Sequence, residues 1–444
     1  MKKKILPLLL ILIMLCFSIP ANAYQINGFE MHHEAGLIVS LDTNTVIYSK
    51  NADKKMYPAS ITKLMSALVM VDEISDLEGT VITYTKEANY QILGTGSVVL
   101  NLKIGEEMTA DDMLAALLIS SCGDVAYAIA EHVGGSTEGF VRLMNEKAQE
   151  LGMDNTVFTD PVGLHDDDHY TTANDIFKMA VAAFDNKLIK ELCAKSRYTL
   201  GATNMAGERT IVTSNMLLNP NSNVYYTYAG AGKTGYTDKA GRCLVSTAKY
   251  KGYEYMSIVL NTATPGGVRY DFIDTANMFR WAFNSFEYKS VFDSNTPVTE
   301  APISLSSETD HLPICFSGGL KALLPKEADA STIDFKIHLT KPEFEAPIKK
   351  GDLVGTADIY YAEEKIGTLD LVAGQTVDAS PVLVFFKAVG DFLTSGFMKI
   401  VYIALAVLAV AFILWVVVLN FGKKKSRNIK YKPLSKRDFE EYED

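Results

Sequence analysis

Cysteine is scarce in this chain: there are five in 444 residues, and Cys16 lies in an apolar N-terminal run, leaving Cys122, Cys193, Cys243 and Cys315 scattered singly. Their spacing fits neither a zinc site nor a disulfide framework, so stability must come from an ordinary hydrophobic core. Internal repeats and low-complexity tracts are also missing, which argues against solenoids and arrays. Positive charge is lacking where a nucleic-acid surface would need it. Setting aside the +3 of residues 1–23 and the +3 of residues 422–444 (eight basic, five acidic), the formal net of −11 leaves −17 on the part between. A charge of that sign excludes nucleic acid as a partner.

Both ends carry apolar runs. Met1-Lys2-Lys3-Lys4, the run Ile5 to Phe17 and Ala21-Asn22-Ala23 stand in the order of a secretory leader, with cleavage expected after Ala23. Residues 400–421 carry no charge, and at 1.5 Å per residue they span about 33 Å, enough for a bilayer's hydrocarbon core. Lys423, Lys424, Lys425 and Arg427 follow at once. The positive-inside tendency therefore predicts a cytoplasmic C-terminus and an external face for residues 24 to about 398.

Between the ends the chain reads as α/β in its α+β form, an antiparallel sheet flanked by helices. Gly36–Leu41 and Thr45–Ser49 form strand-like runs around the turn Asp42-Thr43-Asn44; Tyr225–Gly235, Arg242–Tyr250 and Tyr255–Asn261 should extend the same sheet. Ala110–Ser120 and Asp124–Val133 are apolar-periodic helices that break at Ser121-Cys122-Gly123, and Val268–Phe286 is a further helix. The expected organisation is a leader at 1–23, a main domain at 24–286, a small all-β domain at 287–382, a juxtamembrane segment at 383–399, one transmembrane helix at 400–421 and a charged tail at 422–444.

Three short motifs bear chemistry: Ser60-Ile61-Thr62-Lys63, Ser121-Cys122-Gly123 and Lys233-Thr234-Gly235. Ser60 follows Pro58-Ala59 and opens a core-type helix, so positions 60 and 63 share one face. Ser246-Thr247-Ala248-Lys249 has the same spacing. It lies in a strand-like run, where i and i+3 point to opposite faces, and cannot form a dyad. A serine hydroxyl needs an adjacent base, an oxyanion hole and a grip on the substrate. Ser60 is the expected nucleophile and Lys63 its base, neutral through burial or the nearby charge of Lys233. The N–H groups of Ser60 and Tyr236 are candidate oxyanion donors. Lys233 and Thr234 can hold a terminal carboxylate, Gly235 lets substrate backbone approach, and Ser121 can relay a proton to the leaving amine. His165 and His169 beside Asp166, Asp167 and Asp168 suggest a structured loop, since four-residue histidine spacing off a helix does not fix metal geometry. Neither cofactor nor metal is expected.

The motif order S-x-x-K, serine triplet, K-T-G is that of penicillin-binding proteins and serine β-lactamases. With Phe140–Asn145, Leu151–Phe158, Pro161–His165 and His169–Asp175, the chain from residue 34 onward resembles the low-molecular-weight D-alanyl-D-alanine carboxypeptidases of bacterial cell-wall metabolism. The resemblance implies a β-lactamase/transpeptidase-like fold and release of terminal D-alanine from peptidoglycan stem pentapeptides through an acyl-enzyme on Ser60. It also implies acylation of that serine by β-lactams, and a β-rich C-terminal domain whose usual amphipathic anchor is replaced or reinforced by a transmembrane helix. One residue departs from the pattern: the second motif of that family usually ends in asparagine, whose carboxamide holds a substrate carbonyl, and here Gly123 stands there. On the sequence alone, Gly123→Asn should raise activity. A catalytically weak wall-peptide-binding protein and a β-lactamase are the two other readings of the same scaffold.

Overall fold

Alternation of apolar residues along the strands decides the layering. The computed structural model describes residues 30–329 and 332–425; the expected leader and residues 426–444 of the expected tail lie outside them. β1 (His33–Ser40) and β2 (Thr45–Lys50) form the N-terminal hairpin, and β1 pairs antiparallel on its other side with β9 (Tyr253–Thr262). With β8 (Gly241–Tyr250) and β7 (Ala229–Thr237) they make a five-stranded sheet in the order β2-β1-β9-β8-β7, while β3 (Val81–Thr83) pairs with β4 (Glu107–Thr109) and β5 (Arg197–Leu200) with β6 (Arg209–Val212) in two small sheets. Leu37, Val39, Val245, Met256, Ile258 and Leu260 face one apolar cluster, while Ile38, Leu244, Tyr255 and Val259 face another. The sheet is thus buried on both sides, which is why its strands read as apolar runs. β7 is an edge strand. It begins four residues later than the sequence suggests, because Tyr225 to Tyr228 are used in a turn in which Tyr226 N–H donates to Leu217 and its carbonyl accepts from Ala229.

On the first face lies α1 (Lys63–Glu73), every residue of which from Lys63 to Met70 is buried. A short 3₁₀ turn, Ala59–Thr62, precedes it, so Ser60 stands in that turn and the α-helix proper starts at Lys63. The α-helix α2 (Lys86–Ile92) comes next, then α3 (Ala110–Ala115), which continues into a π-helical turn at Ala116–Ser120. α4 (Gly123–Gly134), α5 (Thr137–Glu150), α6 (Ala173–Asp185) and α7 (Lys187–Ala194) complete this layer. On the second face α8 (Tyr270–Ser285) lays down Phe272, Ala276, Phe279 and Ala282, a single stripe at helical spacing. Cys122, Cys193, Cys243 and Cys315 are buried free thiols. Ser246 is buried on β8 and Lys249 exposed, as their strand placement requires.

From Phe286 the chain is β-rich, with eight further strands among the described residues; six between Pro297 and Ala373 form one sheet, and Phe286–Phe292 pairs with Leu320–Pro325. Contacts divide the chain into a unit running through Val291 together with 321–334 and 360–366, and a second unit of the remaining residues. The helix Pro381–Thr394 presents Val382, Phe385, Phe386 and Phe392 as exposed side chains. A final helix, Gly396–Lys425, contains an apolar stretch long enough to cross a membrane, Gly396–Asn420.

Phe279 is fully buried beneath the sheet, and its truncation removes a large apolar side chain from the core. Phe279→Ala should lower unfolding free energy by about 3–5 kcal/mol, measured by denaturant titration of the soluble part.

Candidate active site

Ser60 and Lys63 meet because one 3₁₀ turn places the serine three residues ahead of a buried lysine. Lys63 Nζ donates to Ser60 Oγ at 2.9 Å and to the Val162 carbonyl at 2.8 Å, and the lysine has no exposed surface. Burial, then the positive charge of Lys233, pushes the Lys63 pKa down to about 7. Its acceptors are thus a hydroxyl and an amide carbonyl, partners that do not require the amine to be charged.

The Val162 carbonyl is fixed by its own loop. Asp160 Oδ1 accepts from the N–H groups of Val162 and Gly163, each at 2.7 Å, and Asp160 Oδ2 lies 3.3 Å from His169 Nδ1. His169 Nε2 in turn lies 2.9 Å from Thr62 Oγ1. The histidine therefore ties this loop to the nucleophile turn. His165 packs edge-on against Tyr57, with ring centroids 4.8 Å apart. Two backbone positions make the junction tight. Ala59 has φ +47°, a left-handed conformation costly for a residue with a side chain. Gly163 has φ +87°, and a Cβ there would sit 1.9 Å from the Ala59 carbonyl oxygen.

Ser121 occupies a left-handed position (φ 65°) between the π turn and α4, an irregularity common where helices serve a site. Lys233, on β7, donates from Nζ to Ser121 Oγ at 2.8 Å and to the Thr234 carbonyl at 3.1 Å. Burial lowers its pKa to about 8. Thr234 Oγ1 lies 2.6 Å from Ser214 Oγ. Tyr236 is half-exposed, its hydroxyl donating to Asp238 and its ring lying 3.8 Å from the Arg242 guanidinium.

All seven residues singled out from the sequence thus converge, in two sets. Ser60, Ser121, Thr234, Gly235 and Tyr236 line one cavity of about 730 Å³, while Lys63 and Lys233 stand behind its wall. The cations that do line the cavity are Lys239, Arg242 and Arg269. The two arginines went unrecognised in the sequence. Arg242 was accessible in principle, since hairpin register sets it opposite Tyr236; Arg269 arrives from the start of α8, which no local pattern signals.

Two glycines of the motifs also sit against close neighbours. A Cβ at Gly235 would meet the Pro58 carbonyl at 2.7 Å and Ser60 N at 3.2 Å. Its smallness lets β7 pack against the nucleophile turn. At Gly123 a Cβ would lie 2.5 Å from Ser97 Oγ and 2.7 Å from Ile92 Cδ1. Asparagine there requires the ends of the Ser97 and Ile92 side chains to move aside.

Gly163→Ala should destabilise the protein by more than about 1 kcal/mol and, by moving the Val162 carbonyl off Lys63, slow labelling by a fluorescent penicillin. Gly207→Ala, where a Cβ meets nothing within 4 Å, should stay within about 0.5 kcal/mol of the parent. Thermal melts and labelling rates check both.

Comparison with known proteins places the chain in one family. A family model described as D-alanyl-D-alanine carboxypeptidase matches residues 21–264, and one described as penicillin-binding protein 5, C-terminal domain, matches residues 286–379. The chain is 28% identical over 395 residues to the D-alanyl-D-alanine carboxypeptidase DacF of Bacillus subtilis (strain 168), covering 88% of this chain and 98% of that one. The crystal structure of the D-alanyl-D-alanine carboxypeptidase DacD from Francisella tularensis shares the fold, with a TM-score of 0.62 and 24% identity over 81% of this chain and 97% of that one. A D-alanyl-D-alanine carboxypeptidase structure from Mycobacterium tuberculosis H37Rv gives a TM-score of 0.52 and 28% identity, covering 60% of this chain and 95% of that one. With the match over residues 21–264 taking in more than half of its length, the chain belongs to the D-alanyl-D-alanine carboxypeptidase family.

Proposed function

We propose that the protein is a membrane-tethered serine carboxypeptidase that removes the terminal D-alanine from peptidoglycan stem pentapeptides and is acylated by β-lactams at the same serine. The observation that carries this reading is the 2.9 Å hydrogen bond between Ser60 Oγ and a fully buried Lys63 Nζ. In this mechanism neutral Lys63 takes the Ser60 proton as Oγ bonds to the carbonyl carbon of the penultimate D-alanine. The N–H groups of Ser60 and Tyr236 receive the oxyanion. The C–N bond breaks, the departing amine takes a proton relayed through Ser121, and the acyl-enzyme remains on Ser60. Water, giving its proton to Lys63, then attacks the ester; the C–Oγ bond breaks and Ser60 regains its proton.

Lys233, hydrogen-bonded to Ser121, keeps a positive charge beside the relay and helps hold Lys63 neutral. Thr234 and Gly235 shape the strand side, and the free edge of β7 offers backbone groups to an extended peptide. Arg242 and Arg269 add positive charge for the terminal carboxylate. Residues 24–286 form the catalytic domain and 287–382 the β-domain, with 383–399 leading to the span at 400–421. The leader at 1–23 is removed, the catalytic domain faces the extracytoplasmic side, and 422–444 is cytoplasmic. The basic residues just past the span support that orientation.

The first experiment is D-alanine release from diacetyl-lysyl-D-alanyl-D-alanine by residues 24–398, beside Ser60→Ala and a fluorescent penicillin. Release and labelling should both vanish in the variant. Labelling without release in the parent would favour the wall-peptide-binding reading, and rapid loss of the label the β-lactamase reading.

The pH dependence follows from the two amines. Lys63 must be neutral to act as base, so the acylation rate should rise about tenfold per unit below a pKa of about 7. Lys233 must be charged, so the rate should fall again above about 8. Stopped-flow acylation from pH 5 to 9 tests this, and a flat profile would remove Lys63 from the role of base.

A further inference from the structure

The absent asparagine side chain leaves a question that the neighbouring loop answers. The Cβ that Gly123 lacks would lie 2.5 Å from Ser97 Oγ and 3.1 Å from Ser97 Cβ. Ser97 therefore fills the place where a side chain at 123 would begin. It lines the same cavity as Ser60, Ser121 and Tyr236. Its hydroxyl lies 3.5 Å from the Val98 carbonyl, well beyond the usual O–H···O range, so the proton is available to another acceptor.

The loop that presents Ser97 is anchored to the second motif. Gly123 N–H donates to the Val98 carbonyl at 2.7 Å. The next residue, Asp124, accepts from Leu100 N–H at 2.9 Å and from Leu102 N–H at 3.2 Å. Gly94 and Gly96 turn the chain through left-handed positions, with φ of 75° and 71°, and Ser97 N–H donates to Thr95 Oγ1 at 3.3 Å. A hydroxyl held this way is preorganised by the same glycine whose missing side chain it replaces.

We propose that Ser97 is a substrate-binding residue whose hydroxyl donates a hydrogen bond to a backbone carbonyl of the bound stem peptide, in place of a carboxamide at position 123. The proposal rests on the carboxypeptidase reading for its substrate. The exchange is chemically conservative at the bond itself, since a hydroxyl offers one donor as one arm of a carboxamide does. It moves that donor from the start of α4 to the loop that follows α2.

The test uses residues 24–398 with two readouts, kcat/KM for D-alanine release and the second-order rate of acylation by a fluorescent acylaminopenicillin, whose side-chain amide also offers a carbonyl. Ser97→Ala should lower kcat/KM about 3- to 10-fold, the worth of one net hydrogen bond, with an unchanged melting temperature, and Ser97→Thr should retain the parental value. Gly123→Asn alone should lower activity because it collides with Ser97 and Ile92. Combining it with Ser97→Gly removes one of the two collisions, leaving only the flexible end of Ile92 to shift, and should exceed Ser97→Ala. Parental values for Ser97→Ala in both readouts would overturn the proposal. If the parent released no D-alanine, the carboxypeptidase reading would fail by itself and the acylation rates would still decide the role of Ser97.

Discussion

Burying an ammonium group costs several kcal/mol unless it meets an anion or sheds its proton, and this chain buries two amines, Lys63 and Lys233, behind one wall of its cavity. Most of the site can be understood as the set of constraints that makes this tolerable. Their acceptors are Ser60, Ser121 and the carbonyls of Val162 and Thr234. None is a carboxylate, so the environment selects the deprotonated amine of Lys63 that a hydroxyl nucleophile needs. Asp160 stands one step away and spends its carboxylate on backbone N–H groups and His169. Its negative charge stabilises a loop, and its pull toward a protonated Lys63 is outweighed by burial and by the charge of Lys233.

Such an arrangement demands rigidity, because a carbonyl that drifts from Lys63 leaves a buried donor unpaired. The left-handed Ala59, the close approach of Gly163 to it, and Gly235 seated against Pro58–Ser60 describe one closely packed junction. Strain there is tolerated because the sheet and helices on either side hold the backbone in place. The wide core therefore serves the chemistry: it keeps three chain segments, around 60, 162 and 234, within hydrogen-bond reach of one another.

Much of this was legible beforehand. The three motifs pointed to the family that the comparisons show, and the hairpin, the three later strands and the helix after residue 268 fell near their observed positions, because apolar periodicity and turn residues are local signals. What stayed hidden depends on contacts between distant segments. The packing of Gly235 against Pro58 and Ser60 cannot be read from the K-T-G motif. Nor can the seat of Ser97 beside Gly123 be read from the second motif. Arg269 is an unremarkable charge until α8 delivers it to the cavity. The start of β7 slipped because an aromatic run at 225–228 has strand-like composition and turn-like hydrogen bonds.

Cys122 sits between Ser121 and Gly123, in the middle of the second motif, and only 1% of its surface is exposed. Desolvation pushes its thiol up to about 12, so almost no thiolate exists at neutral pH, and thiolate is the species that oxidants and electrophiles attack. A sulfur atom can thus neighbour the catalytic centre without becoming a redox liability. Chemical durability here is inherited from burial, the same condition that sets the basicity of the lysine across the wall.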